Sequence, residues 1–165
     1  MSEHVPRLGR DESEEERLDR QLIELLNEVR VAIPGVQVLF AFLLVVPFSA
    51  RWERTTELQR YAYFSTLLLT AGATALLMAP AAIHRVRFRM GDKRTIVEWG
   101  HRLTIVGLAV LGVAMAGAVF LVTDVLYEVT SAAIAAGAVL ALIVGLWFVL
   151  PLSRRFYHRG EGPGT

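Results

Sequence analysis

Ionisable side chains inside apolar segments would be the first place to look for chemistry, and this chain has none. Four apolar blocks run over 31–48, 61–83, 103–123 and 129–150, and no Asp, Glu, Lys or Arg lies in any of them. An ion-coupled transporter normally needs an ionisable group near the middle of the membrane to carry its proton or cation. The blocks therefore give no direct support to such a transporter.

Neutral polar groups in these blocks are few. Gln37 is the one amide among them, and the second block carries the hydroxyl groups of Ser65, Thr66, Thr70 and Thr74. Such groups more often bond to a neighbouring helix than to a substrate. The polar stripe of the second block is still the pattern that favours a transporter or channel, whose pore several copies would assemble.

The histidines supply no metal site. His4, His84, His101 and His158 are dispersed, and the chain has no cysteine, which excludes thiolate ligands and cysteine nucleophiles. Phosphate-binding, dinucleotide-binding and nucleophile-elbow motifs are also missing. His84 beside Arg85 is a candidate sensor or proton acceptor, but the simpler interpretation is an anchor at the membrane interface. We expect no enzyme activity, no metal and no cofactor.

The apolar blocks determine the fold class. Hydrophobic residues make up 54% of the 165 residues and charged residues 20%, and the charges lie between the blocks. A helix of about 20 residues, at about 1.5 Å rise per residue, crosses about 30 Å of hydrocarbon. We therefore predict an all-α integral membrane four-helix bundle whose transmembrane domain covers 31–150, followed by a cytoplasmic tail over 151–165.

Basic residues are concentrated on one side of this topology. Of the 17 basic residues, all but Arg51, Arg54 and Arg60 lie before the first block, between the second and third, or after the fourth. Cytoplasmic loops carry the excess of Lys and Arg, so both ends of the chain are predicted to be cytoplasmic. The topology alone accounts for the cluster between the second and third blocks, but its basic residues are also candidates for binding lipid headgroups: Arg85, Arg87, Arg89, Lys93 and Arg94.

Residues 13–30 predict a cytoplasmic amphipathic helix, preceded by a disordered tail over 1–12. Ser13 and Glu16 have the spacing of a capping box. Apolar residues then recur on one face, at the spacing of a helix: Leu18, Leu22, Leu25 and Val29.

The polar face of this helix is mainly acidic, whereas a helix lying on anionic lipid is usually basic. We therefore expect a protein partner for it, and the nearest candidate is the basic segment 85–102, in the same chain or in a second copy. A solvated helix that simply enters the membrane is an equally weighted alternative. Pro34 is expected to bend or interrupt the path into the first crossing.

Small residues recur every fourth position in the last two blocks. Such residues let helix backbones approach closely in lipid, and the contact is expected within the chain first and between copies second. The short segment 124–128 predicts a tight antiparallel hairpin of these two helices. The predicted packing residues are Gly112, Ala116, Ala133, Gly137, Ala141 and Gly145.

One stretch resembles a known family. It reads NEVR at 27–30 and PGVQVLFAFLL at 34–44, followed by Pro47 and Phe48, and Ala79, Pro80, His84 and Arg85 fit the same pattern. The pattern resembles a family of small four-transmembrane bacterial membrane proteins of unknown function, over about 20–150. Members are often automatically labelled sodium:proton antiporters.

The resemblance implies a bacterial inner membrane. If the antiporter label held, the implied functional residues would lie near the inner half of the first two helices: Asn27, Glu28, Arg30, Gln37, His84 and Arg85. Our leading hypothesis is instead a non-catalytic module that binds a protein or an anionic lipid on the cytoplasmic side. The alternative is an oligomeric ion transporter, similar to a cation/proton antiporter. Expected partners are membrane lipid and a second copy or another membrane protein, and no nucleic acid.

Overall fold

The structure is a computed structural model, and it describes residues 14–87 and 93–150. The described chain is helical and is built from four main helices. They are α1 (Glu14–Val45), α2 (Glu57–Arg87), α3 (Lys93–Leu126) and α4 (Val129–Val144). Two short 3₁₀ turns, Val46–Phe48 and Trp52–Arg54, join α1 to α2, and a π-helical turn, Gly145–Val149, continues α4.

Four segments are long and apolar enough to cross a membrane, and each contains or closely matches one predicted block. They run over Glu16–Phe48, Glu57–Arg85, Val97–Leu126 and Val129–Val149. Large apolar side chains are exposed on all four helices, as expected where lipid replaces water as the solvent. The all-helical prediction is confirmed, and the four spans indicate a membrane protein.

The predicted amphipathic segment and the first crossing form one continuous helix. α1 runs for 32 residues and passes through Pro34, so the predicted interruption is not found. One face of α1 is buried on both sides of the proline, at Val29 before it and at Val36 and Leu43 after it. This packing offsets the hydrogen bond that proline removes. The predicted cap residue Ser13 and the two predicted tails lie outside the described residues.

The core joins α1, α2 and α3. Its buried cluster consists of Val29, Val36, Ala73, Leu77 and Leu111. α3 presents glycines to its neighbours, and a Cβ atom added at Gly107 would lie 3.0 Å from the Leu77 side chain. The backbones of α2 and α3 therefore approach more closely than any larger residue would allow.

In the part of the chain that the structure describes, α4 packs on α3. Only Tyr127 and Glu128 separate the two helices, which gives the predicted hairpin. Gly112 of α3 faces Ile143 of α4, and an added Cβ would lie 2.9 Å from its Cγ2 atom. Among the described residues, no Cα atom of α4 lies within 8 Å of α1 or α2. The bundle is therefore three mutually packed helices with a fourth against α3, which leaves a groove between α1 and α4.

Candidate ligand-binding site

The bundle has two ends, named here by one residue each. The Glu14 end is where α1 begins, α2 ends and α3 begins, and the Trp52 end holds the two 3₁₀ turns. At the Glu14 end a cavity of about 400 Å³ lies between α1 and α3. This polar groove is lined by Gln21, Glu24, Leu25, Glu28, Val97, Glu98 and His101.

Helical spacing brings these polar groups together. Gln21, Glu24 and Glu28 follow one another at intervals of three and four along α1, and so share a face. Leu25 beside them is buried against α3, because a Cβ added at Gly100 would lie 3.0 Å from its Cδ2 atom. The glycine thus permits the close approach of α1 and α3 that creates the groove.

The polar groove is negatively charged. Three carboxylates line it, the remaining titratable lining group is His101, and no Lys or Arg is found among its described lining residues. A cleft lined by one sign of charge raises the local concentration of the opposite charge. Within 14–87 and 93–150, no group of three or more His, Cys, Asp or Glu could hold a metal ion. The described lining therefore attracts positive charge.

A second cavity, of about 550 Å³, continues from Glu28 toward the Trp52 end. It lies over α3 between α1 and α4, and apart from Glu28 its described lining is apolar. We call it the apolar groove, and it includes Gly35, Leu39, Leu111, Met115, Val139 and Trp147. Glu28 lines both cavities and so stands at their junction.

Three of the four hydroxyl groups in the polar stripe of the second block donate within their own helix. Thr66, Thr70 and Thr74 each donate to the carbonyl oxygen four residues earlier, over 2.7 to 2.8 Å. Thr104 of α3 does the same to Gly100, over 2.9 Å. These bonds use the hydroxyl hydrogens and leave the oxygen lone pairs as acceptors. Thr66 and Thr70 are also buried, so their hydroxyl groups lie inside the bundle.

At the Trp52 end, side-chain contacts hold the first loop and the start of α2 against the bundle. Tyr63 donates through its hydroxyl to the Leu43 carbonyl oxygen over 3.0 Å, and its ring meets the Trp52 ring edge-on with centroids 5.0 Å apart. The Gln59 amide donates to a carboxylate oxygen of Asp124 over 2.8 Å, which links the start of α2 to α3. These contacts fix the first loop on the bundle. An apolar cavity of about 240 Å³ lies beside them.

The six candidate functional residues do not form one site. Glu28 lines both grooves, whereas exposed Asn27, Arg30 and Gln37 line neither. His84 is half-buried and has a contact within the chain, and Arg85 is exposed. Of the other candidate lipid-binding residues, Arg89 lies outside the described residues, as do the side chains of Arg87, Lys93 and Arg94.

The predicted packing residues divide into two groups. Gly112 and Ala116 are buried on α3. Ala133, Gly137 and Ala141 of α4 are exposed, and a Cβ added at Gly137, or at Gly145 in the π-helical turn, would meet nothing within 4 Å. The buried residues of α4 are Ala132 and Ile143, so in the described structure α4 packs through other residues than the predicted ones.

Sequence reasoning missed the acidic lining. Gln21, Glu24, Glu98 and His101 were not among the candidates, because their meeting depends on the register between α1 and α3. The observation that could have located this lining was the predicted contact between the amphipathic segment 13–30 and the basic segment 85–102. In the structure its apolar face is indeed covered by α2 and α3 of the same chain, near Pro80 and Gly100. That face is therefore not a free docking surface.

The comparisons with known proteins give a family and no activity. Curated proteins and solved structures yielded no match. The family match covers residues 11–151, which is most of the chain, and its description carries no antiporter activity. This chain belongs to DUF6328, a family of unknown function.

Proposed function

We propose that the protein is a non-catalytic binding module of a bacterial inner membrane, which holds a positively charged segment of a protein partner in its polar groove. One observation carries the proposal: a formed cavity of about 400 Å³ is lined by the exposed carboxylates of Glu24 and Glu28 at one end of the bundle. An electrostatic site of this kind steers and selects a partner of opposite charge. Catalysis would need a nucleophile, a base and an orienting group, and the groove supplies no such arrangement.

The positions of the basic residues support a cytoplasmic opening for the groove. The stretches before the first apolar block, between the second and third blocks, and after the fourth block carry 14 of the 17 basic residues. The first two of these stretches include the start of α1, the end of α2 and the start of α3, which form the Glu14 end. By the positive-inside rule this end faces the cytoplasm, with both chain ends. The partner is then a cytoplasmic segment or the cytoplasmic tail of another membrane protein.

Single-cysteine labelling tests this orientation, because the natural chain contains no cysteine. We expect Glu53→Cys, at the Trp52 end, to react with a membrane-impermeant maleimide added to intact spheroplasts. Glu24→Cys should react only after the membrane is opened. Both side chains are exposed, so accessibility within the protein does not limit either reaction. The reverse pattern would put the polar groove outside the cell.

Binding is tested with a fluorescent heptalysine peptide. The full chain is placed in nanodiscs of phosphatidylcholine, whose neutral surface does not bind the peptide. We expect saturable binding that weakens about tenfold in Glu24→Gln/Glu28→Gln protein, since each exposed charge contributes up to about 1 kcal/mol. Binding should also weaken as salt is raised, because the screening length falls from about 10 Å at 0.1 M to about 3 Å at 1 M.

The matched control is Glu53→Gln/Glu57→Gln protein, which loses the same charge at the Trp52 end. Its affinity for the peptide should remain that of the natural chain. Equal weakening in both double variants would mean that the peptide responds to net charge alone. That result, or binding of heptaglutamate as strong as that of heptalysine, would contradict the proposal.

Two alternatives use other features of the chain. An anionic lipid would bind at the basic segment that includes exposed Arg85, where phosphate headgroups gain about 1 kcal/mol per basic residue. An oligomeric ion transporter would need a polar path through the bundle. Thr66 and Thr70 of α2 are buried in the bundle, and this favours the binding module over the transporter.

A further inference from the structure

The two grooves meet at a single carboxylate. Glu28 lines the polar groove between α1 and α3 and also the apolar groove between α1 and α4. From the level of Glu28 to that of Leu39, α1 rises about 16 Å at 1.5 Å per residue. The apolar groove is therefore a long depression on the side of the molecule, and it has a negative charge at one end.

The apolar groove arises from the helix arrangement. α4 is held by α3 alone, and no described Cα atom of α4 lies within 8 Å of α1. Gly35 of α1 adds to the space, because nothing lies within 4 Å of the position where its Cβ would be. The volume of about 550 Å³ falls within the range of small-molecule sites in proteins. The groove is thus large enough for an alkyl chain or a compact ring system.

Charge complementarity selects the occupant. A lipid tail gains little by leaving the bilayer for an equally apolar groove, so the tail cannot provide selectivity. The selectivity must come from the charge of Glu28 and of the neighbouring Glu24, which repel an anionic headgroup and attract a cationic one. Among amphiphiles, the site therefore distinguishes by the charge of the head.

We propose that the protein binds an amphipathic cation, an organic ammonium with an apolar tail, whose head lies at Glu28 and whose tail lies in the apolar groove. This inference rests on the proposed function, because it uses the same carboxylates. It adds the chemical class of a small ligand and its route, which is lateral entry from the membrane between α1 and α4.

Trp147 provides a direct test, since it lines the apolar groove. The probe is dodecyltrimethylammonium brominated in the half of the tail nearest the head, because Trp147 lies one turn beyond Ile143 toward the Glu14 end. It is added to the full chain in phosphatidylcholine nanodiscs, and bromine quenches tryptophan fluorescence on contact. We expect a saturable quenching component that Trp147→Phe removes. Glu28→Gln should weaken the apparent affinity up to about fivefold, since one exposed charge contributes up to about 1 kcal/mol, and the equally brominated dodecanoate should show no saturable component.

A steric variant separates the apolar groove from the polar groove. Gly35→Leu places a side chain in the open space of the apolar groove and should abolish saturable quenching while heptalysine binding stays unchanged. Gly72→Leu also adds its Cβ where nothing lies within 4 Å, but outside the groove lining, and should leave quenching intact. Quenching and peptide binding are compared only between proteins that unfold at the same temperature in the nanodisc.

Three results would overturn the inference. Non-saturable quenching by all brominated chains would mean that bulk lipid alone fills the groove. Loss of dimers in Gly35→Leu protein without saturable quenching would place a second copy there. Quenching that survives Gly35→Leu would put the ligand elsewhere. If heptalysine still binds in a Glu28-dependent way in any of these cases, the proposed function stands and only this inference fails.

Discussion

Leu25→Ser protein should lose about 3 kcal/mol of stability, because this exchange removes a buried side chain that holds α1 on α3. Leu25 is 6% exposed, and it occupies the position opposite Gly100, beside Pro80. Serine leaves a cavity there and buries a hydroxyl group in an apolar contact, and both effects lower the stability. The first turns of α1 should separate from the bundle while the membrane-spanning part stays inserted.

Hydrogen exchange in nanodiscs measures this effect. Amides of α1 before Val31 should exchange far faster in Leu25→Ser protein, and thermal unfolding should begin earlier. The control is Ile23→Ser, which exchanges a side chain that is 60% exposed on another face of the same helix. Surface exchanges of this kind change stability by about 0.5 kcal/mol or less. Equal effects of the two variants would show that α1 is not held by Leu25.

The result matters for any search for a partner. Leu22, Leu25 and Val29 form the apolar face that the sequence suggested for docking, but all three are buried within the chain. Their exchange would disturb the fold and the polar groove together. Exchange of Glu24 and Glu28, which are exposed, changes the charge of the groove and leaves the packed face intact. Loss of partner binding therefore identifies the binding site only when Glu24 and Glu28 are exchanged.

The spans could be predicted from sequence because lipid imposes a compositional rule. A chain segment that crosses hydrocarbon must satisfy its own backbone and present apolar side chains, and four segments do so. The continuity of α1 could not be predicted from the local effect of Pro34. The deciding term is packing, since the same face is buried at Val29 and again at Val36.

The packing faces could not be assigned because both the lipid-facing and the protein-facing sides of these helices are apolar. Gly112 and Gly137 illustrate this, since each lies in a small-residue repeat of its block. The first faces Ile143 at close range, and the second faces open space. In a water-soluble helix the polar stripe would separate the two cases, but in lipid the stripe is lost.

The candidate site was only partly predictable. Glu28 was a candidate through the resemblance of residues 27–44 to the family, but its neighbours Glu98 and His101 belong to a helix far along the chain. They line the same groove as Glu28 because Leu25 fits against Gly100 and so sets the register of α1 on α3. The apolar groove depends in turn on the absence of contact between α4 and α1. Neither the register of α1 on α3 nor the separation of α4 from α1 leaves a pattern in the local sequence from which it could be predicted.

The largest effect in the membrane-spanning part is expected for Gly107→Leu. A Cβ at this position would lie 3.0 Å from both Cγ and Cδ2 of Leu77 and 3.2 Å from Cβ of Leu76. Leu77 is fully buried in the core cluster, so it has no space into which it could move. Overpacking of this kind costs about 3 kcal/mol and forces α2 away from α3.

Gly72→Leu is the matched control, since it makes the same exchange on α2 where nothing lies within 4 Å of the added Cβ. It should be neutral or slightly stabilising, because glycine inside a helix costs about 1 kcal/mol relative to alanine. Thermal unfolding in detergent should therefore show a lower melting temperature for Gly107→Leu only. Adding Leu77→Ala to Gly107→Leu frees the space that the new side chain needs and should restore part of the loss. If Leu77→Ala instead lowered stability further, the contact between these two positions would not be what holds α2 on α3.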